Sequence, residues 1–228
     1  MLDSQYALWH LLPILLIVAI FGGGAFIRLT VKAAQPPRDY GYVPKVSVLL
    51  PVYNEGAHVL DTISSILVAD WPAQKLEIIA IDDCSADDSH DYLLQAQAQY
   101  PGRVFASKNP VNSGKHVTLT QALKQSTGEI VICIDSDCIF DRQVIRELVA
   151  CFGDPKVGAV GGHVGISNVN DNIFTMCQAL VYFMSFQAGK MVQNVQGSLF
   201  CISGCLFAVR RAIFMEVEEE VRNRNWFG

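Results

Sequence analysis

The chain has 228 residues, 51% of them hydrophobic, and a formal net charge of −5. That length allows one good-sized domain and a small appendage, and the negative charge disfavours a nucleic-acid partner. The cysteines Cys84, Cys133, Cys138, Cys151, Cys177, Cys201 and Cys205 form no CxxC pair and no zinc-finger spacing, so they read as reduced thiols in a cytosolic compartment.

Residues 7–27, ALWHLLPILLIVAIFGGGAFI, carry no Asp, Glu, Lys or Arg. A helix of ~20 such residues spans the hydrocarbon layer of a bilayer. A cleavable signal peptide fits less well, because no basic residue precedes the run and the run is long. Arg28, Lys32 and Arg38 follow it and Asp3 precedes it, which places the N-terminus outside and the remainder in the cytoplasm. The expectation is a transmembrane anchor over 1–34 in the plasma or inner membrane, with lipid as a partner. A Pro-rich juxtamembrane linker over 35–45, stiffened by three prolines, joins it to a domain over 46–228.

From residue 46 short apolar runs alternate with helical patterns. Strands are expected at 46–50, 76–82, 103–107, 129–135 and 157–164, and helices at 57–69, 88–99, 115–126 and 141–152. MEVEEEVRNR, 215–224, reads as a solvated charged helix. Alternating elements with continuously apolar strands predict an α/β fold, a Rossmann-like, mostly parallel sheet sandwiched by helices. Ligands of such sheets bind beyond the carboxyl ends of the strands. Polar residues cluster there: PVYNE after the first strand, DDCSAD after the second and SDCIFD after the fourth.

Each cluster suggests chemistry. Pro51 cannot donate to a ladder and should end the first strand. Tyr53 offers a ring for stacking on a base, and Asn54 and Glu55 either cap the next helix or bind polar groups. Asp83 can accept from a base N–H or a ribose hydroxyl, whereas Ser85 and Asp87 are natural helix caps. Lys115 follows Gly114 at a helix start, a fair phosphate site. The P-loop spacing is absent, as is a GxGxxG after the first strand, which argues against a dinucleotide-binding domain. Asp135 and Asp137 form a DxD pair. In extended backbone they would share one side, where they repel unless a cation or a proton lies between. Magnesium or manganese suits such a pair, binding one or two carboxylates plus substrate phosphates. A solvated acidic loop is the alternative.

PVYNE, IDDCSAD, NSGK, DSD and ISGC stand in the order and approximate spacing of family-2 glycosyltransferases, which the chain resembles over about residues 40–228. The run VQGSLFCISGCLFAVRR and the N-terminal apolar segment are similar to the processive membrane enzymes, among them hyaluronan, chitin and nodulation chitooligosaccharide synthases. The resemblance implies the GT-A fold, a UDP-sugar donor such as UDP-N-acetylglucosamine, a carbohydrate acceptor, inversion at the transferred sugar, and Mg2+ or Mn2+. It implies that Pro51, Val52, Tyr53, Glu55 and Asp83 line the nucleoside site and that Lys115 approaches the diphosphate. It places Asp135, Ser136 and Asp137 at the donor, with Asp135 and Asp137 as metal ligands, Asp137 the direct one and Asp135 nearer the sugar or ribose. Ser203, Gly204 and Cys205 match the acceptor-side loop. His163 stands where related enzymes often carry an acidic or other polar residue and reads as a satisfied strand-end histidine.

The family's general base lies in a downstream acidic motif, so no catalytic residue is assigned up to Gly228, and none of Glu216, Glu218, Glu219 and Glu220 is taken as the base. The expectation is an N-terminal, donor-binding portion of a synthase. A non-catalytic nucleotide-sugar-binding module is the alternative. A dolichol-phosphate sugar synthase is disfavoured by the CISGC loop and the anchor.

Overall fold

Unbroken apolar runs make the centre of a six-stranded sheet. The computed structural model describes residues 38–166, 168–183, 190, 201–202 and 204–223. Strands β1 (Val46–Val52), β2 (Leu76–Asp82), β3 (Val104–Lys108) and β4 (Ile130–Ile134) pair in parallel in the order β3-β2-β1-β4. Beyond β4 come β6 (Leu206–Arg210), antiparallel to it, and at the edge β5 (Ala159–Gly161), antiparallel to β6. Every residue of β2 and of β4 is buried, as expected of strands covered on both faces.

The helices are α1 (His58–Leu67), α2 (Ser89–Gln99), α3 (Lys115–Gln125), α4 (Val144–Ala150), α5 (Ile173–Tyr182) and α6 (Arg211–Asn223). On one face Leu49, Ile79, Ile81, Val131, Cys133 and Val209 pack with Ala122 and Leu123 of α3, and Phe214 and Met215 of α6 lie against them. The alternate residues Val48, Leu50, Ile78, Ala80 and Ile132 are fully buried as well, on the opposite face by the period of two. Burying each such aliphatic side chain contributes on the order of 1.5–3 kcal/mol.

The chain divides into two units, 37–162 with 202–228, which carries the sheet, and 1–36 with 163–201. In the second, Asn172 starts α5 with a reciprocal capping box to Thr175. Ile173, Phe174, Met176, Leu180 and Val181 of that helix are exposed. The expected anchor at 7–27, the first residues of the linker and Ser203 lie outside the described residues. Among the described residues no helix is long and apolar enough to cross a membrane.

Several sequence expectations shift. The sheet is mostly parallel as expected, but mixed at its β4 side, because β6, which the apolar patterning did not single out, inserts antiparallel next to β4. The strand expected at 157–164 pairs only over Ala159–Gly161; Gly158, Gly161 and Gly162 leave it few side chains to pack. Pro51 lies within β1 instead of ending it. The strand expected at 129–135 stops at Ile134, and α5 was not foreseen. The described linker residues, 38–45, hold neither helix nor strand and lie on the domain. Asp39 N–H donates to the Ala150 carbonyl at 2.9 Å, and Lys75 Nζ to the Val43 carbonyl at 2.6 Å.

At the amino ends of β1 and β2 the sheet buries a carboxylate. Glu77 accepts from Ser47 Oγ at 2.6 Å and from Thr127 N–H at 2.7 Å, and Lys45 Nζ lies 2.8 Å away. Gly128 N–H closes the network on Ser47 Oγ at 2.8 Å. A Cβ on Gly128 would meet Ser47 N at 2.6 Å, so only glycine fits this approach. Burial pushes the Glu77 carboxyl up, but the hydrogen bonds from Lys45, Ser47 and Thr127 outweigh it and hold the group below the usual range. A carboxylate depressed in the folded state adds stability above its unfolded pKa of ~4.3, and loses it as pH falls through the folded value. Glu77→Ala is expected to lower unfolding free energy at pH 7 by about 2 kcal/mol in urea titrations, since it orphans buried donors. The gap from wild type should narrow as pH drops below about 4; a gap independent of pH would contradict the assignment.

Candidate functional site

The chain leaves β1 to build β2 and β3 on one side, then returns to build β4 on the other. Reversal of strand order opens a crevice between the carboxyl ends of β1 and β4, the usual ligand position of such sheets. The loops after β1 and β2 are stitched together there. Asp83 N–H donates to the Val52 carbonyl at 2.8 Å, Asn54 N–H to Ser85 Oγ at 2.9 Å and Ala86 N–H to Asn54 Oδ1 at 2.9 Å. Ser89 Oγ accepts from Glu55 N–H and Gly56 N–H at 2.9 and 2.8 Å. The expected caps are therefore replaced. Asn54 and Ser85 bridge the two loops, and the caps of α1 and α2 are Ala57 and Asp88, without side-chain hydrogen bonds. Asn54 and Cys84 sit at φ 56° and 63°, a left-handed conformation costly for non-glycine residues and concentrated at functional loops. Tyr53, directly before Asn54, is 49% exposed.

Asp83 is buried. Its Oδ1 accepts from Asn109 Nδ2 at 2.8 Å and Ser113 N–H at 2.9 Å, and its Oδ2 from Gly114 N–H at 2.7 Å. Burial pushes this carboxyl up, but the hydrogen bonds from Asn109, Ser113, Gly114 and Thr118 prevail and hold it below its ordinary value. A carboxylate has about four acceptor sites, so the loop takes most of them. Asp83 thereby fixes the turn that presents Lys115 at the first position of α3, where Gly114 adopts φ 83°.

Beyond β4 the backbone turns at once. Cys138 N–H donates to the Asp135 carbonyl at 3.2 Å, so Asp135 and Asp137 stand in a turn and not in the extended geometry expected. That turn is held from three sides. Thr62 Oγ1 of α1 donates to the Ser136 carbonyl at 2.7 Å, and Phe140 N–H donates to Ser65 Oγ at 3.0 Å. Ser136 Oγ donates to the Glu55 carboxylate at 2.9 Å. Asp135 N–H donates to the Cys205 carbonyl at 3.2 Å.

Lys115 closes the cluster. Its ammonium pairs with the Asp135 carboxylate and donates to the Gly204 carbonyl at 3.2 Å. Asp137 is exposed, and its carboxylate receives the Cys138 thiol at 3.5 Å. Burial, then the Asp137 charge, pushes that thiol up to about 12, so it stays a neutral donor. Among the described residues no group of three or more His, Cys, Asp and Glu is arranged to hold a metal.

Glu55, Lys115, Asp135, Ser136, Asp137, Gly204 and Cys205 thus share one cleft edge, with Val52 ending the adjacent strand β1 and Pro51 one residue inside it. Ser203 lies outside the described residues, and His163 belongs to the other unit. The sequence reading missed Thr62, Ser65, Asn109 and Ser113. Thr62 and Ser65 left a trace: hydroxyls on the apolar stripe of a helix need buried partners. Asn109 and Ser113 left none beyond a turn-like NPVNSG.

The family model described as Glycosyl transferase family 2 matches residues 47–218. An N-acetylglucosaminyltransferase of Mesorhizobium japonicum is 29% identical over 86% of this chain and 46% of its own length. A poly-beta-1,6-N-acetyl-D-glucosamine synthase of Staphylococcus epidermidis is 29% identical over 78% of this chain and 42% of its own. The chain therefore spans somewhat under half the length of these curated relatives. A mannosyltransferase from Pyrobaculum calidifontis, solved with GDP-Man and Mn2+, superposes with a TM-score of 0.65 at 23% identity, over 90% of this chain and 56% of that one. That likeness speaks to the fold alone. With a family match over most of the chain and the fold that goes with it, the protein belongs to glycosyl transferase family 2.

Proposed function

We propose that this chain supplies the donor-binding part of a metal-dependent, inverting glycosyltransferase acting on a UDP-sugar at a membrane. The observation that carries the reading is the meeting of Lys115, Asp135 and Asp137 at the crevice between β1 and β4. One cation and two carboxylates in that place suit a nucleoside diphosphate. The names of the Mesorhizobium and Staphylococcus relatives favour N-acetylglucosamine as the sugar and a growing carbohydrate chain as the acceptor.

The donor set fits magnesium or manganese. Two carboxylates, with no third protein ligand among the described residues, suit a hard cation that retains water and substrate phosphates in its shell. Asp137, exposed and bonded to a neutral thiol, has oxygens free for that cation, and Asp135 stands beside it. Bound there, the cation would supply Lewis-acid neutralisation of the diphosphate leaving group.

The remaining work falls to the chain's own residues. Lys115 brings a positive charge to the same place from the start of α3, where unsatisfied N–H groups favour anions. The Asp135 carboxylate restrains that ammonium before a donor arrives. Tyr53 offers an exposed ring for the base, and the loop fixed by Asp83 bounds the nucleoside side. Glu55 orients the acidic turn by accepting from Ser136. Gly204 and Cys205 stand at the acceptor side. No residue in the cluster is assigned the general base that the acceptor hydroxyl requires.

Asp137→Asn is expected to weaken Mn2+-dependent UDP binding at least tenfold in calorimetry while leaving the melting temperature near wild type. Unchanged binding would refute the metal assignment. Lys115→Ala is expected to weaken UDP far more than uridine, because it removes a charge-assisted contact worth ~1.5–3 kcal/mol. Equal losses for both ligands would place Lys115 away from the phosphates. For the membrane, the full chain should stay in the membrane pellet through an alkaline carbonate wash; release into the supernatant would rule out an integral anchor at 7–27.

A further inference from the structure

We infer that Glu218 is a positioning residue for Lys115, acting across the face of the sheet through α3. Read as sequence, Glu218 belongs to a run of solvated acids. In the fold its side chain is only 14% exposed, and both carboxylate oxygens meet α3. Oε2 accepts from Thr120 Oγ1 at 2.7 Å, and Oε1 lies 3.0 Å from His116 Nε2. His116 adjoins Lys115, and Thr120 Oγ1 also lies 3.0 Å from the His116 carbonyl. The neighbours Glu216, Glu219 and Glu220 are exposed.

The contact closes a ring. Lys115 donates to the Gly204 carbonyl. Two residues on, β6 begins; it runs antiparallel along β4 and passes without a break into α6 at Arg211. Glu218, two turns into α6, then grips α3 one residue from Lys115. The first turn of α3 is thus held at three places: by Asp83 through the backbone of Ser113 and Gly114, by Gly204 through the lysine itself, and by Glu218 through His116 and Thr120. Gly114 contributes no side-chain cap to this helix start, so the lateral grip adds to the core packing of Ala122 and Leu123 in fixing its rotation. Rotation about the helix axis would swing the long lysine side chain away from the acidic turn.

The inference rests on the donor-site reading, and its test separates the two. UDP binding in the presence of Mn2+ is measured by calorimetry for the full chain, together with hydrogen–deuterium exchange of residues 114–118. Glu218→Ala should weaken UDP about tenfold and raise exchange in that first turn. Glu218→Gln, which keeps an acceptor for Thr120, should restore affinity to within about threefold of wild type. The exposed control Glu219→Ala should change neither quantity. In a Lys115→Ala background, Glu218→Ala should have no further effect on UDP affinity, because the residue through which it acts is gone. Wild-type exchange and affinity in Glu218→Ala would overturn the inference, and so would an undiminished loss in the Lys115→Ala background. If the wild-type chain binds no UDP, the donor-site reading falls. The grip on α3 is then decided by exchange alone, with unchanged protection in Glu218→Ala overturning it.

Discussion

The pairing of Lys115 with Asp135 is the contact on which the cleft is organised. It joins a helix start to the end of the central strand β4, and the same ammonium reaches the Gly204 carbonyl ahead of β6. Three segments remote in sequence meet on one cation. Its side chains are 48% and 28% exposed, and an ion pair so wetted contributes little to stability. Its weight lies in placement. It sets a positive charge beside two carboxylates in a crevice that the strand order creates.

The surroundings make that placement firm. Among the described residues the acidic turn carries no metal-like cage of its own; it is steadied by hydroxyls of α1, by the Glu55 carboxylate after β1 and by the Cys205 carbonyl just ahead of β6. Thr62, Ser65, Glu55 and Cys205 each take one backbone or hydroxyl group of the segment 135–140. Asp83 does the same for the loop before α3 and stays ionised while buried, because its hydrogen bonds outweigh desolvation. Buried polar groups here are satisfied by one another, as folded interiors require. The exposed carboxylate of Asp137 is left facing solvent, the condition under which a hard cation and its waters can enter.

The two ends of the sheet divide the labour. At the amino ends of β1 and β2, Glu77 is sealed among Ser47, Thr127 and Lys45 and serves stability. At the carboxyl ends the loops adopt left-handed residues at Asn54 and Cys84 and leave charge exposed. Such an arrangement gives up local stability at the carboxyl ends and recovers it in the core and at the opposite edge. Family membership fits this division, since the match over 47–218 takes in both ends of the sheet.

The sequence by itself determined the α/β alternation, the four parallel strands and the residues of the strand-end clusters. Those features are local: apolar runs of strand length, helical spacing and acids or turn formers directly after a strand leave a periodic trace. Tertiary structure alone decided that β6 runs against β4 and so carries Gly204 to Lys115. It also decided that the DxD pair sits in a turn gripped by α1, that Asp83 spends most of its acceptors on the loop before α3, and that Glu218 is largely buried while Glu216, Glu219 and Glu220 are exposed. Each of these is a pairing between segments far apart in the chain. A carboxylate or a hydroxyl shows in sequence that it needs a partner, but not which distant backbone will reach it.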